Sequence, residues 1–180
     1  LSTTSQPSGL LELVADKTLA LDDLKVIPRD VTMAVAARLD LAKVYQRVLE
    51  QVGKVEPQAA AMIEQNVSGM TAQLGFDVQM DLLASLGDVW TAFNTTAEGA
   101  SQWTGIVATV SIRDKAKLTE VHGKLLQMAK QIPKEQAPFE IRESKIRGLD
   151  VYNVVVKGPV PVSPAWCITE DKLIVAASLQ

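Results

Sequence analysis

The chain has 180 residues, of which 47% are apolar and 22% charged, with a net charge of −3. That is the composition of an ordinary globular domain, long enough to bury about 70% of its unfolded surface without a metal or disulfide staple. The small acidic excess argues against a nucleic-acid-binding module, which needs a basic face. The single cysteine, Cys167, excludes an intrachain disulfide.

No apolar run approaches the roughly 18 residues of a membrane helix. The first ninety residues carry 12 acidic and 7 basic side chains and the remainder 9 and 11, an asymmetry too small to name a partner. The chain opens on Leu1 with no charged-then-apolar leader and reads as a piece of a longer protein.

Residues 1–26 read as a linker and the tail of a preceding segment, polar over 1–9 and without clear periodicity. The domain proper is expected over 27–180, with its C-terminal end open to truncation at Gln180. Ile27-Pro28-Arg29-Asp30 is a turn into a β-prone strand at 31–39. Asp40 then caps a helix with the stripe Leu41, Val44, Tyr45, Val48 and Val52, expected to end at Gly53. Pro57 opens a second helix through Ile63, Val67, Met70 and Leu74, stopped by Gly75. Asp77 caps a third, short helix through Val78, Leu82, Leu83 and Leu86, closed by Gly87.

The period then changes. Strands are expected at 88–94 and 104–113, joined by a loop containing Glu98-Gly99, with Ile106, Ala108, Val110 and Ile112 alternating in the second. A fourth helix spans 115–132, with Leu118, Val121, Leu125, Met128 and Ile132 inward, and Pro133 ends it. Strands follow at 139–147 and 149–157, hinged at Gly148, and at 164–169 and 172–178, turning at Glu170-Asp171. Pro159, Pro161 and Pro164 make a stiff connector between the two pairs.

These elements predict an α+β fold. A mainly antiparallel sheet of about six to seven strands is expected, with four helices packed largely on one face. Residues 35–43 and 109–117 also echo each other, each an apolar strand followed by Asp, x-Ala-Lys and an amphipathic helix. Either an internal strand–helix duplication or independent recruitment of Asp as a cap at two strand-to-helix turns accounts for the echo.

The order of these signals resembles an uncharacterised bacterial, planctomycete-like family of exported proteins that carry an α+β repeat unit. The resemblance rests on Ile27-Pro28-x-Asp30, Gly75-x-Asp77, Leu83-x-x-Leu86-Gly87 and the second strand–Asp114–helix unit. Gly148-x-x-Val151-Tyr152 and the run Asp171 to Ser178 complete it. It implies a periplasmic or cell-surface location and supplies no catalytic residues.

The chemistry-bearing residues read as structural. His122 is the only histidine and sits at the border of an apolar helical stripe, where its ring packs. Cys167, between Trp166 and Ile168, reads as a buried strand thiol. Asp77 and Asp81 share a helical face and are a carboxylate pair in principle, but both sit where a helix N-terminus recruits acids. Glu12 and Asp16 repeat that spacing. Arg142, Lys145 and Arg147 lie among Glu140, Glu143 and Asp150 as a mixed-charge face. Trp90, Trp103 and Trp166 read as core. No catalytic, cofactor-binding or metal-ligating residue is assigned.

The function expected is therefore a non-catalytic, extracytoplasmic structural or interaction module that binds another protein or a second copy. The alternative is a carrier of an apolar small molecule held between helices and sheet, lined by Met33, Met62, Met70, Met80 and Met128. A carrier requires an apolar cavity of several hundred Å³, whereas an interaction module requires a filled core and an exposed patch.

Overall fold

The computed structural model describes residues 18–95, 105–133, 137–156 and 163–178. Among the described residues seven strands make one sheet: β1 (Ala34–Arg38), β2 (Leu86–Asn94), β3 (Ile106–Ile112), β4 (Phe139–Ile146), β5 (Leu149–Val156), β6 (Ala165–Ile168) and β7 (Lys172–Ala176). Their spatial order is β1-β2-β3-β7-β6-β5-β4, and every ladder is antiparallel. Three long helices accompany it: α1 (Leu41–Val55), α2 (Pro57–Leu74) and α3 (Lys115–Gln131). The α+β class is as the sequence predicts.

The connection that shapes the molecule is β3–α3–β4. From β3, near the middle of the sheet, the chain enters α3 and re-emerges at the far edge as β4. The meander β4-β5-β6-β7 then brings it back beside β3. One helix therefore crosses the sheet over the strands of its own return path. Arg147 and Gly148, both with positive φ (50° and 83°), make the tight β4–β5 turn, as a primed hairpin turn requires.

Both expected Asp caps form. Asp40 accepts a hydrogen bond from Lys43 N at 3.2 Å, and Asp114 accepts one from Lys117 N at 3.0 Å. The two strand–Asp–helix units lie in the same sheet, each strand antiparallel to β2 between them. Arg113 of the second unit reaches back to the Asp40 carboxylate at 3.0 Å. Beyond the caps the units diverge, since α1 continues into α2 while α3 crosses to the sheet edge.

The units meet on residues 85–88. The register of β2 against β3 slips between Leu86 and Trp90, and at the slip Gly87 lies against Ser111. A Cβ on Gly87 would sit 2.2 Å from Ser111 Oγ and 3.0 Å from both Ser111 Cβ and its carbonyl oxygen. The same Oγ accepts a hydrogen bond from Val89 N. The Ser85 carbonyl accepts from Arg113 N and Asp114 N, and the Asp88 carbonyl accepts from Leu39 N.

Around this junction Leu86, Val110 and Leu118 form a buried core cluster, joined by Leu41 of α1, Leu82, Trp90, Ile168 and Leu173. The helices thus pack on the face that carries Trp90 and Val110. The opposite face is closed at its centre by the buried Thr91–Thr109 hydroxyl pair, 2.8 Å apart.

Several boundaries differ from the sequence expectation. Gly53 does not stop α1; it lies inside the helix, where a Cβ would meet Ala60 of α2 at ordinary contact distance. The break falls at Glu56, which takes φ −146°, because the residue before a proline is pushed out of the helical region. The third helix shrinks to a π turn at Val78–Leu82 and a 3-10 turn at Leu83–Ser85, while Leu86 and Gly87 belong to β2. The first strand starts at Ala34 instead of 31, since Met33 N is taken by the Asn94 side chain at 2.8 Å.

Residues 18–26, within the expected linker, are tied to the sheet. Arg38 pairs with Asp23 at 2.7 Å and Asp88 at 2.8 Å and donates to the Thr18 carbonyl. The Ala20 N–H and the Arg38 guanidinium hold the Asp23 carboxyl below the usual carboxylate range. The Glu98-Gly99 loop, Pro159 and Pro161 lie outside the described residues.

Two stability predictions follow from these contacts. Gly87→Ala is expected to destabilise by about 1–3 kcal/mol, the range for forcing an extra methyl into a filled space. Combining it with Ser111→Gly should cost less than the sum of the single changes in urea denaturation; a neutral Gly87→Ala would refute the close-approach argument. Asp40→Ala and Asp114→Ala should each cost about 1 kcal/mol, and Asn at either position far less, because it still caps. Equal losses for Asn and Ala would show that capping is not what these residues do.

Candidate functional site

The α3 stripe Leu118, Val121, Leu125 recurs at the three- and four-residue spacing that aligns side chains on one helical face. Leu118 and Val121 are buried, but Leu125 is 39% exposed. On the sheet below, strand alternation and register set Trp166 and Ile168 of β6 beside Leu173 and Val175 of β7 on one face. Val175 is 40% exposed although its strand is central in the sheet.

Helix and sheet therefore do not close on each other at this point. The gap is an apolar groove of about 380 Å³, walled by Leu118, Leu125 and Leu126 above and by Trp166, Ile168 and Val175 below. That volume is within the range of sites for small organic ligands, roughly 300–1,000 Å³.

Aromatic rings stand at one side. Tyr152 of β5 stands opposite Trp166 in the ladder, and their rings stack at 5.7 Å. His122 of α3 packs edge-on to Tyr152 at 4.7 Å. Its Nε2 accepts the Trp166 indole N–H at 2.9 Å. A neutral ring accepting at Nε2 carries its proton on Nδ1, so the imidazole keeps one N–H donor. Burial lowers the His122 pKa, with the Glu143 carboxylate pulling it the other way. Burial, then Glu143 and Asp150, raises that of the Tyr152 phenol. To a ligand the groove offers an almost wholly apolar wall, since the Trp166 indole N–H and the His122 Nε2 are spent on each other.

The other sequence candidates lie elsewhere. Asp77 accepts from Gln79 N and Met80 N at 2.8 and 2.7 Å, and Asp81 accepts from Asp77 N and pairs with Lys117. Both carboxylates are thus engaged by the local turn and by a lysine. Cys167 is buried on the opposite face of β6, where burial raises its pKa. Trp90 packs in the core and donates to the Leu39 carbonyl at 2.9 Å. Glu140 pairs with Arg142 and Lys145 with Asp150, on opposite faces of the β4–β5 hairpin. Glu12, Asp16 and Trp103 lie outside the described residues.

The methionine expectation is corrected. The groove is lined by branched aliphatic and aromatic residues and by none of the five methionines. Met33, Met62, Met70 and Met80 are exposed instead, because the helices and loops that carry them turn those positions outward. The residues missed were Leu125, Leu126, Trp166 and Val175. Each reads as core in one dimension, and only the mismatch between helix and sheet turns them into a site.

Burial of the His122 ring predicts an acid-sensitive contribution to stability. Because the His122 pKa is lowered from 6.5 in the folded chain, the unfolded chain binds the proton first as pH falls. This contribution to stability is fully present above pH 6.5 and is lost as pH drops toward the folded-state value. The Tm should fall as pH drops below about 6.5, the unfolded-state value, and that of His122→Gln, which keeps an acceptor for Trp166, should fall less. Parallel declines in the two proteins would exclude His122 as the cause.

No protein-family model, curated protein or solved structure matches the chain.

Proposed function

We propose that this domain is a non-catalytic binding module that carries an apolar small molecule in the groove between α3 and the sheet. The observation that supports this reading is the unfilled space of about 380 Å³ beneath a helix whose inward stripe is intact. Leaving Leu125 and Val175 uncovered forfeits apolar burial of roughly 25 cal/mol per Å², which a ligand in the groove restores. The acceptor nitrogen of His122 is already taken by Trp166, which favours holding a ligand over transforming it. An exported setting belongs to this proposal through the family resemblance.

A second reading, a surface for another protein or a second copy, draws on β1. It is an edge strand among the described residues, with Val35 62% exposed and the preceding Met33 63% exposed. The other edge, β4, displays Glu140, Arg142, Glu143 and Lys145, the charges that ordinarily guard a sheet edge.

Titration with N-phenylnaphthylamine, an apolar dye that brightens when buried, separates the readings. Saturable binding is expected for the unmodified protein and for Val35→Lys. Binding should be lost in Val175→Arg and in Leu125→Arg, each of which puts a charge into the groove at a half-exposed position that the fold tolerates. Circular dichroism and the urea midpoint report that folding. Absence of dye binding, or full binding by folded Val175→Arg and Leu125→Arg, overturns the carrier reading. A change of sedimentation confined to Val35→Lys supports the second.

A further inference from the structure

The groove does not end at Leu126. A second cavity of about 250 Å³ shares Leu126 and Ile141 with the first and continues along α3 past Ala129 and Lys130 to Ile132 and Phe139. From Leu118 to Lys130 the helix rises ~18 Å at 1.5 Å per residue. One leaflet of a bilayer's hydrocarbon core, the depth that an acyl chain spans there, is about 15 Å. The two spaces laid end to end along α3 make an elongated apolar path that a single chain can follow.

The ends of this path differ in chemistry. At the inner end stand Leu82, Leu118, Ile168 and Leu173. At the outer end stands Lys130, exposed, in the last turn of α3. The other lysines of that helix are paired: Lys115 with Glu170, Lys117 with Asp81, and Lys124 with Glu120. Lys130 makes no ion pair with any described residue. Glu140, which borders the outer cavity, alternates to the other face of β4 from Phe139 and Ile141 and is paired with Arg142. The C-terminal carbonyls of α3 carry partial negative charge, so an anionic head must reach the ammonium and cannot rest on the helix end.

We infer that the groove takes a single-chain amphiphile with an anionic head, its tail running inward beneath α3 and its head paired with Lys130. This rests on the carrier reading and adds the ligand's chemical class.

Displacement of N-phenylnaphthylamine by palmitate and by hexadecanol, its uncharged counterpart, tests it. Palmitate should displace the dye more strongly than hexadecanol, by about two- to five-fold, the contribution of an exposed ion pair. Lys130→Ala should remove that preference, and Lys130→Glu should reverse it. Preference for palmitate surviving in both variants, or equal displacement by the two ligands in the unmodified protein, overturns the headgroup assignment and leaves the carrier reading standing. Failure of the dye itself to bind overturns both. A third arm uses vesicles of anionic phospholipid: sedimentation with them that depends on Lys130, without displacement by free palmitate, identifies a membrane headgroup and also overturns the inference.

Discussion

A missing side chain at Gly87 sets the geometry on which the rest of this molecule depends. With no Cβ there, β2 approaches Ser111 closely enough to slip in register. The slip leaves the Ser85 carbonyl free to receive Arg113 N and Asp114 N while the Asp88 carbonyl receives Leu39 N. Both strand-to-helix junctions are thereby seated on the same four residues. The Asp88 carboxylate adds the Arg38 contact, which also ties in the N-terminal turn through Asp23. The start of α3, and with it the line the helix takes across the sheet, is fixed at this point.

From that start α3 has to reach the far edge of the sheet, where β4 begins. A straight helix laid over a sheet that twists cannot hold constant contact with every strand beneath it. Contact is tight near the junction, where Leu118 and Val121 are buried, and opens further along, where Leu125 and Val175 are not. The groove is thus the space that a single crossover helix leaves over its own return meander. His122 and Trp166 bridge that space with a hydrogen bond, giving helix and sheet a polar tie where apolar packing thins.

What was legible in the sequence was local. Asp40, Asp114 and Asp77 announced themselves as caps because a helix start needs an acceptor within its first turn, and all three act that way. Strand alternation and hairpin spacing likewise gave the antiparallel sheet. Gly53 misled because glycine stops helices in general, whereas here it only lies against Ala60 and Pro57 supplies the break. The groove was illegible for a different reason. Leu125 and Val175 carry the signature of core positions, and their exposure depends on the distance between a helix and a strand that only the assembled fold defines. The methionines misled in the opposite sense, since a side chain suited to lining a cavity says nothing about which way its own helix is turned.

The return path of the meander also constrains the order in which the molecule is made. β3 pairs on one side with β2, its neighbour in the chain, and on the other with β7, so that Ser111 meets Lys172 and Val107 meets Ala176. As the chain emerges from a ribosome, β1, β2 and β3 can zip together early, with α1 and α2 beside them. The outer side of β3 then stays an open hydrogen-bonding edge until the last strand arrives. Such edges recruit foreign strands, and pairings between distant residues form late. Covering that edge takes the whole β4-to-β7 return, so the middle of the sheet is closed by the last strand of the chain's path.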